Sequence, residues 1–206
     1  MRARDLMTSP VVTVGPDAAV KEAARLLVDH GFAVLPVVDA DDRLLGVVTE
    51  ADLLRNRLLL DPRGLIHDPP PEPTAPAPPT VAGVMTTDVL TAVPDTHTAE
   101  LGRLMVDRHL RAVPVVDGDR LVGIVSRVDV LRTIARDDDT IARDVLGHLS
   151  AAGRRRWQVS VTDGVVTLTS EGVDDTDRHI AAVVAGCAPG VVDVHIRDGV
   201  PPSAGR

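Results

Sequence analysis

Thr49 and Asp52, and again Ser126 and Asp129, set a hydroxyl and a carboxylate three residues apart at the end of an apolar run that opens on glycine: GVVTEAD at 46–52 and GIVSRVD at 123–129. Two chemistries use that spacing. In the first, S/T-x-x-D is a capping box, in which the hydroxyl accepts the N–H three residues on and the acid reaches back to the first. In the second, the helix start offers unpaired N–H groups and a hydroxyl to a phosphate, while the carboxylate accepts hydrogen bonds from both hydroxyls of a ribose. The spacing alone does not choose between them.

The neighbours of the two pairs differ. Glu50 follows the first hydroxyl and Arg127 the second; three positions before the proline of the preceding strand stand Ala33 in one case and Arg111 in the other. An arginine grips phosphate through two parallel N–H bonds, whereas a glutamate repels it, so the second occurrence is expected to hold phosphate more tightly.

No other chemistry competes. The seven histidines are scattered without H-x-x-x-H spacing, and Cys187 is the single cysteine. A metal site and an internal disulfide are therefore not expected, and the thiol, lying in an apolar helical pattern, reads as a small hydrophobe. G-x-S-x-G, P-loop and G-x-G-x-x-G motifs are absent, so no catalytic residue is nominated, no cofactor is required and an enzyme is not expected. The net charge is −8: 15 basic and 22 acidic side chains over residues 1–139, 7 and 8 over 140–206. Without a basic face, and with Phe32 and Trp157 as the only aromatics, a nucleic-acid partner is not expected. No run of 18 apolar residues and no apolar signal core occur, so the expectation is a soluble, cytoplasmic protein.

The elements that must position these residues come in duplicate. MTSPVVTVGPDAAVKEAARLLVDHGFAVLPVVD from Met7 aligns with MTTDVLTAVPDTHTAELGRLMVDRHLRAVPVVD from Met85 at an offset of 78, and one deletion then brings RLLGVVTEADLLR onto RLVGIVSRVDVLR. Each copy reads as β-α-β-β-α. In the first, VVTV (11–14) is a strand; Pro16 and Asp17 start a helix with Val20, Ala24, Leu27 and Val28 on one face; Gly31 ends it; and AVLPVVD and LLGVVT are strands joined through Asp39–Asp42. A copy of about 50 residues has little core of its own, so the two are expected to pack as a pseudo-symmetric pair. The boundaries follow: 1–60 and 81–137 for the copies, 61–80 for a proline-rich connector in polyproline II, 138–200 for a third domain and 201–206 for a tail.

Residues 138–200 read as α-β-β-α-β. Ile141, Val145 and Leu149 mark the first helix, Asp163-Gly164 a type I′ hairpin turn, and Ile180, Val183, Val184 and Cys187 one face of the second helix; VVDVHI is the last strand. RRRW at 154–157 admits a membrane-surface patch or a solvated connection with Trp157 filling the core. The fold class is thus α+β / α/β.

The opening Met-Thr, the Pro16 and Pro94 helix starts, LPVVD and VPVVD, and the paired glycine-to-aspartate endings together resemble the CBS domain, and two in tandem resemble the CBS pair or Bateman module. That resemblance implies a non-catalytic sensor that binds an adenosine-type nucleotide (AMP, ADP or ATP, in some members S-adenosylmethionine) and works as a homodimer. It puts Thr49, Asp52, Ser126 and Asp129 on phosphate and ribose, with Arg111 and Arg127 as phosphate contacts. It sets the base near Thr13 and Pro36, or near Thr91 and Pro114. VTDGVVTLTSEGV and APGVVDVHI resemble the BON domain, which implies a phospholipid or protein partner. A structural adaptor with vestigial sites, docking through that domain, and a regulatory subunit of a separate enzyme, channel or kinase are the alternatives.

Overall fold

In the computed structural model, which describes residues 1–55 and 77–199, residues 2–127 form one compact unit and a second begins at Val128. The connector expected at 61–80 lies outside the described residues except for its last four, as does the tail. The first unit runs α1 (Ala3–Leu6), α2 (Val20–His30), β1 (Val34–Val38), β2 (Leu44–Thr49), α3 (Glu50–Leu54), a 3-10 turn (Val81–Gly83), α4 (Thr98–Asp107), β3 (Ala112–Asp117) and β4 (Arg120–Ser126), from which α5 (Arg127–Ile134) departs.

β1 pairs antiparallel with β2, and β3 with β4. The strand expected over 11–14 narrows to one residue. Val14 bridges parallel to Val37, its N–H on the Pro36 carbonyl, and Ala92 does the same beside Val115. Pro16 and Pro94, two residues on, have no N–H with which to extend a ladder.

The helices likewise begin later than the prolines suggest, α2 at Val20 and α4 at Thr98. The cause lies in the other copy. The carbonyls of Pro16 and Ala18 accept the N–H groups of Ala82 and Val81, and those of Pro94 and Thr96 accept Arg4 and Ala3, so these four carbonyls point outward and cannot join a helix. Each copy's opening segment therefore packs on its counterpart. Thr86 bridges Val47 in β2 while Thr8 bridges Ile124 in β4, and Val81 sits fully buried in the core built by Val20, Leu27, Leu35, Val37 and Val48. The hairpin turns also meet reciprocally: Leu44 donates to the Asp119 carbonyl and Leu121 to that of Asp42, with ion pairs Arg43–Asp119 at 3.1 Å and Arg120–Asp42 at 3.3 Å. These contacts supply the burial that one copy lacks.

The glycines that open the two motifs are packing residues. A Cβ on Gly46 would stand 2.6 Å from the Thr86 carbonyl oxygen and 3.2 Å from Met85 Sδ, and one on Gly123 would overlap Met7 Sδ. On α2 the buried residues are Val20, Ala23 and Leu27, whereas Val28, expected inside, is 80% exposed. The buried stripe is rotated from the expected one: the sheet accepts Val20, Ala23 and Leu27 and leaves the last turn to solvent.

The second unit carries α6 (Asp138–Ala151), β5 (Gln158–Thr162), β6 (Val165–Ser170), α7 (Asp175–Gly186) and β7 (Asp193–Asp198). β6 is central, antiparallel to β5 and parallel to β7. Ile141, Val145, Leu149, Trp157, Val166 and Leu168 make its core. Asp163 (φ 49°) and Gly164 (φ 74°) form the expected turn, and the Asp138 carboxylate accepts both of their N–H groups at 2.8 and 2.9 Å. α7 differs from expectation: it buries Ala181 and Ala185, leaving Val183 54% exposed and Cys187 exposed at the helix end. Alanines take the buried positions of this helix, Val184 packs partly against the core, and Val183 is left to solvent. No helix among the described residues is long and apolar enough to cross a membrane.

Candidate functional site

The end of β2 and the start of α3 form one wall of a cleft of about 380 Å³. Thr49, Glu50 and Ala51 line it there, Ala33 and Val34 beside them, and Thr86, Asp88 to Leu90 and His109 to Ala112 with Pro114 close it from the second copy. The swapped opening segment brings Thr86 to Leu90 into place, because Thr86 is bonded to Val47 in both directions at 2.9 Å.

Thr49 and Asp52 form a complete capping box: the Asp52 carboxylate accepts the Thr49 N–H at 3.0 Å and its hydroxyl at 2.7 Å, while the hydroxyl oxygen accepts the Asp52 N–H at 3.3 Å. Asp52 is absent from the lining of the cleft and acts on Thr49 instead. With its proton committed to Asp52, the Thr49 oxygen presents an acceptor, which suits a ligand hydroxyl better than a phosphate oxygen. The capping reading is thus realised at this corner, and of the pair it is Thr49 that borders the cleft.

Arg111, grouped by sequence with the second motif, lies in the cleft with Thr49, where its Nη1 donates to Glu50 Oε2 at 2.6 Å. Arg127 is turned elsewhere. Its Nε donates to the Leu110 carbonyl at 2.6 Å and its Nη2 to that of Met105 at 2.9 Å, tying down the loop after α4. In that loop His109 has φ 55°, where the first copy has Gly31 at φ 65°. A non-glycine residue pays about 1–2 kcal/mol for this conformation, and the guanidinium below braces it.

Ser126 closes β4, and Asp129 lies in the first turn of α5, where it pairs with Arg132 at 2.9 Å. Pro114 lines the Thr49 cleft. Pro36 is buried in β1 with its carbonyl on Val14, and Thr13 is half-buried beside that bridge; neither borders the cleft. Thr91 lines a different hollow, of about 190 Å³, with Gly46 and Val116. Sequence reading missed Asp88 and His109 as cleft residues. His109 had a signal, since it replaces a helix-ending glycine; Asp88 had none, because only the exchange of opening segments brings it there.

Two acidic groups are perturbed away from the cleft. The Asp39 carboxyl lies below its ordinary value because the Arg43 and Asp41 backbone N–H groups donate to it, and Asp137 is lowered by the Thr140 hydroxyl and N–H at the start of α6. In the RRRW stretch, Arg154 pairs with Asp177 and Trp157 is buried.

A family model described as "CBS domain" matches residues 3–58 and 81–136. The chain is 31% identical over 152 residues to inosine-5'-monophosphate dehydrogenase of Methanocaldococcus jannaschii, covering 73% of this chain but only 27% of that enzyme. Among solved structures, CBSX2 in complex with AMP superposes with a TM-score of 0.53 at 30% identity, covering 64% of this chain and 93% of that one. The CBS domain pair of protein MJ0100 in complex with 5′-methylthioadenosine and S-adenosyl-L-methionine gives a TM-score of 0.51 at 28% identity, covering 64% and 98%. The two matched segments make up just over half of the 206 residues, and they carry the reciprocal bridges, the motif glycines and the cleft: the chain belongs to the CBS-domain family and holds a tandem CBS pair.

Proposed function

We propose that this protein is a non-catalytic regulatory sensor whose CBS pair takes an adenosine-type nucleotide in the Thr49 cleft and passes the occupied state to the α6–β7 domain or to a partner. The observation that carries this is the cleft itself. A hydroxyl acceptor, a guanidinium and the apolar groups Val34, Val47, Ala112 and Pro114 converge from both copies on a volume within the usual range of small-ligand sites. The adenosine ligands of CBSX2 and of MJ0100 support the choice of ligand class. The dehydrogenase match spans about a quarter of that enzyme, so its chemistry is not carried over.

The second unit, with its α-β-β-α-β order and Asp163-Gly164 hairpin, we read as a BON-type module that docks on a phospholipid surface or a protein. We place a homodimer contact on α2 and α4, where Val28 and Val106 stand exposed at equivalent positions, and the protein in the cytoplasm. Calorimetry of the full chain with AMP, ADP, ATP, 5′-methylthioadenosine and S-adenosylmethionine tests the sensor. Saturable binding that falls in Thr49→Ala/Arg111→Gln is expected, by at least about tenfold for the phosphate-bearing ligands, roughly two lost contacts' worth; binding unmoved by that pair would place the ligand elsewhere.

One observation favours the adaptor with vestigial sites. Thr49, Asp52, Glu50 and Arg111 already satisfy one another. In that case no ligand in the series raises the melting temperature.

A further inference from the structure

The Arg111 side chain is the one guanidinium among the described residues lining the cleft; its Nη1 is bonded to Glu50, and Asp88 also borders the cleft. Its 2.6 Å bond to Glu50 links the two copies across the opening. Taking the nucleotide reading of this cleft as given, we propose that Glu50 is its specificity-determining residue: by holding Arg111, it turns the site toward adenosine ligands without phosphate and against adenosine phosphates, increasingly so as phosphates are added.

Both side chains of the pair are more than half exposed, so the bridge itself contributes little to stability and opens at small cost. The larger effect is on the ligand. A phosphate that reaches Arg111 must enter within a few ångströms of the Glu50 carboxylate, and it exchanges a neutralised cation for a site that keeps a negative charge beside its own. An uncharged thioether at the ribose 5′ position meets no such repulsion, and a sulfonium there is attracted. Thr49 adds to the bias, since its oxygen is set as an acceptor by the bond to Asp52 and offers phosphate no proton. One unit charge at about 4 Å in a water-like medium changes binding roughly fivefold, and more where water is partly excluded.

The test is calorimetry on the full chain, wild type against Glu50→Gln, with 5′-methylthioadenosine, S-adenosylmethionine, AMP, ADP and ATP. Glutamine keeps the size of Glu50 and its reach to Arg111 but not its charge. The expected result is AMP tightened about fivefold, ADP and ATP by more, 5′-methylthioadenosine unchanged within about twofold, and S-adenosylmethionine weakened. Equal shifts for all five ligands, or unchanged ratios between phosphate-bearing and phosphate-free ligands in proteins that still bind them, overturn the role of Glu50 while leaving the cleft intact. Binding of none of the five by either protein removes the nucleotide site, and this proposal with it.

Discussion

The two copies of the α/β repeat share their scaffold and differ at their corners. In both, a parallel bridge precedes a helix, a methionine from the other copy lies over a strand glycine, and the helix ends in a left-handed residue whose successor bonds back five residues, Phe32 to Leu27 and Leu110 to Met105. The polar groups have gone separate ways. The first copy combines Gly31 with Glu50, which reaches out to Arg111; the second combines His109 with Arg127, which folds back on the carbonyls of Met105 and Leu110. A charge after the motif hydroxyl therefore lines the cleft in one copy and binds backbone carbonyls in the other. Residue type at equivalent positions of a duplication does not fix residue role.

The largest expected effect concerns what the copies share. Gly46→Ala forces a Cβ against the backbone oxygen of Thr86 and should cost about 2–3 kcal/mol. Gly123→Ala presses on the Met7 side chain, costs less, and is relieved in part by Met7→Ala, which removes the nearer Sδ and Cγ and leaves Cβ at 2.9 Å, whereas Met85→Ala leaves the Thr86 carbonyl clash of Gly46→Ala unrelieved. Urea denaturation of the four single variants, the two doubles and the wild type decides it; equal costs with equal rescue would mean that the two glycine contacts are interchangeable.

A smaller effect tests where the copies part. Arg127→Gln should cost about 1–2 kcal/mol by releasing two carbonyls from a charged donor. His109→Gly should be neutral or slightly stabilising and should shrink the Arg127→Gln penalty, while Gly31→Ala, in open space, should cost about 1 kcal/mol from its φ alone. Additivity of the His109 and Arg127 changes would show that the guanidinium does not brace the strained residue.

The smallest effect is acid-dependent. Asp39, whose carboxylate accepts the Arg43 and Asp41 N–H groups, has a folded pKa below its unfolded value of 3.8. Its contribution is thus present above that value and is lost as the pH falls through the folded pKa. The shorter turn of the second copy uses Gly118 at φ 64° instead. Asp39→Asn should flatten the fall in stability below about pH 4 without altering neutral-pH binding, as followed by melting temperature against pH; an unchanged acid slope would assign that fall to other carboxylates.

Much of the scaffold is readable in the sequence. Near-identical spacing exposed the duplication, glycine and aspartate announced the 163–164 turn, and the 141–145–149 stripe marked α6. Helix phase was less readable. Periodicity finds apolar residues but not which of them a sheet will accept, so Val28, Val183 and Cys187 read as inward-facing from their spacing and lie exposed in the fold. The site was legible as chemistry but not as assembly. Thr49 could be picked from its motif, yet Arg111 was grouped with the wrong hydroxyl, because contacts separated by 61 residues and created by exchanged segments leave no local pattern.

The exchange of opening segments has one more consequence. Cutting this chain at the seam between its copies does not yield two half-sized proteins: a fragment ending before residue 80 would leave the slot of Val81 empty and carry Ala3 with nothing to cover it. The two copies should melt as one, and any stress put on Thr86 by a molecule in the cleft is felt at once by a strand of the opposite copy, with no intervening hinge to absorb it.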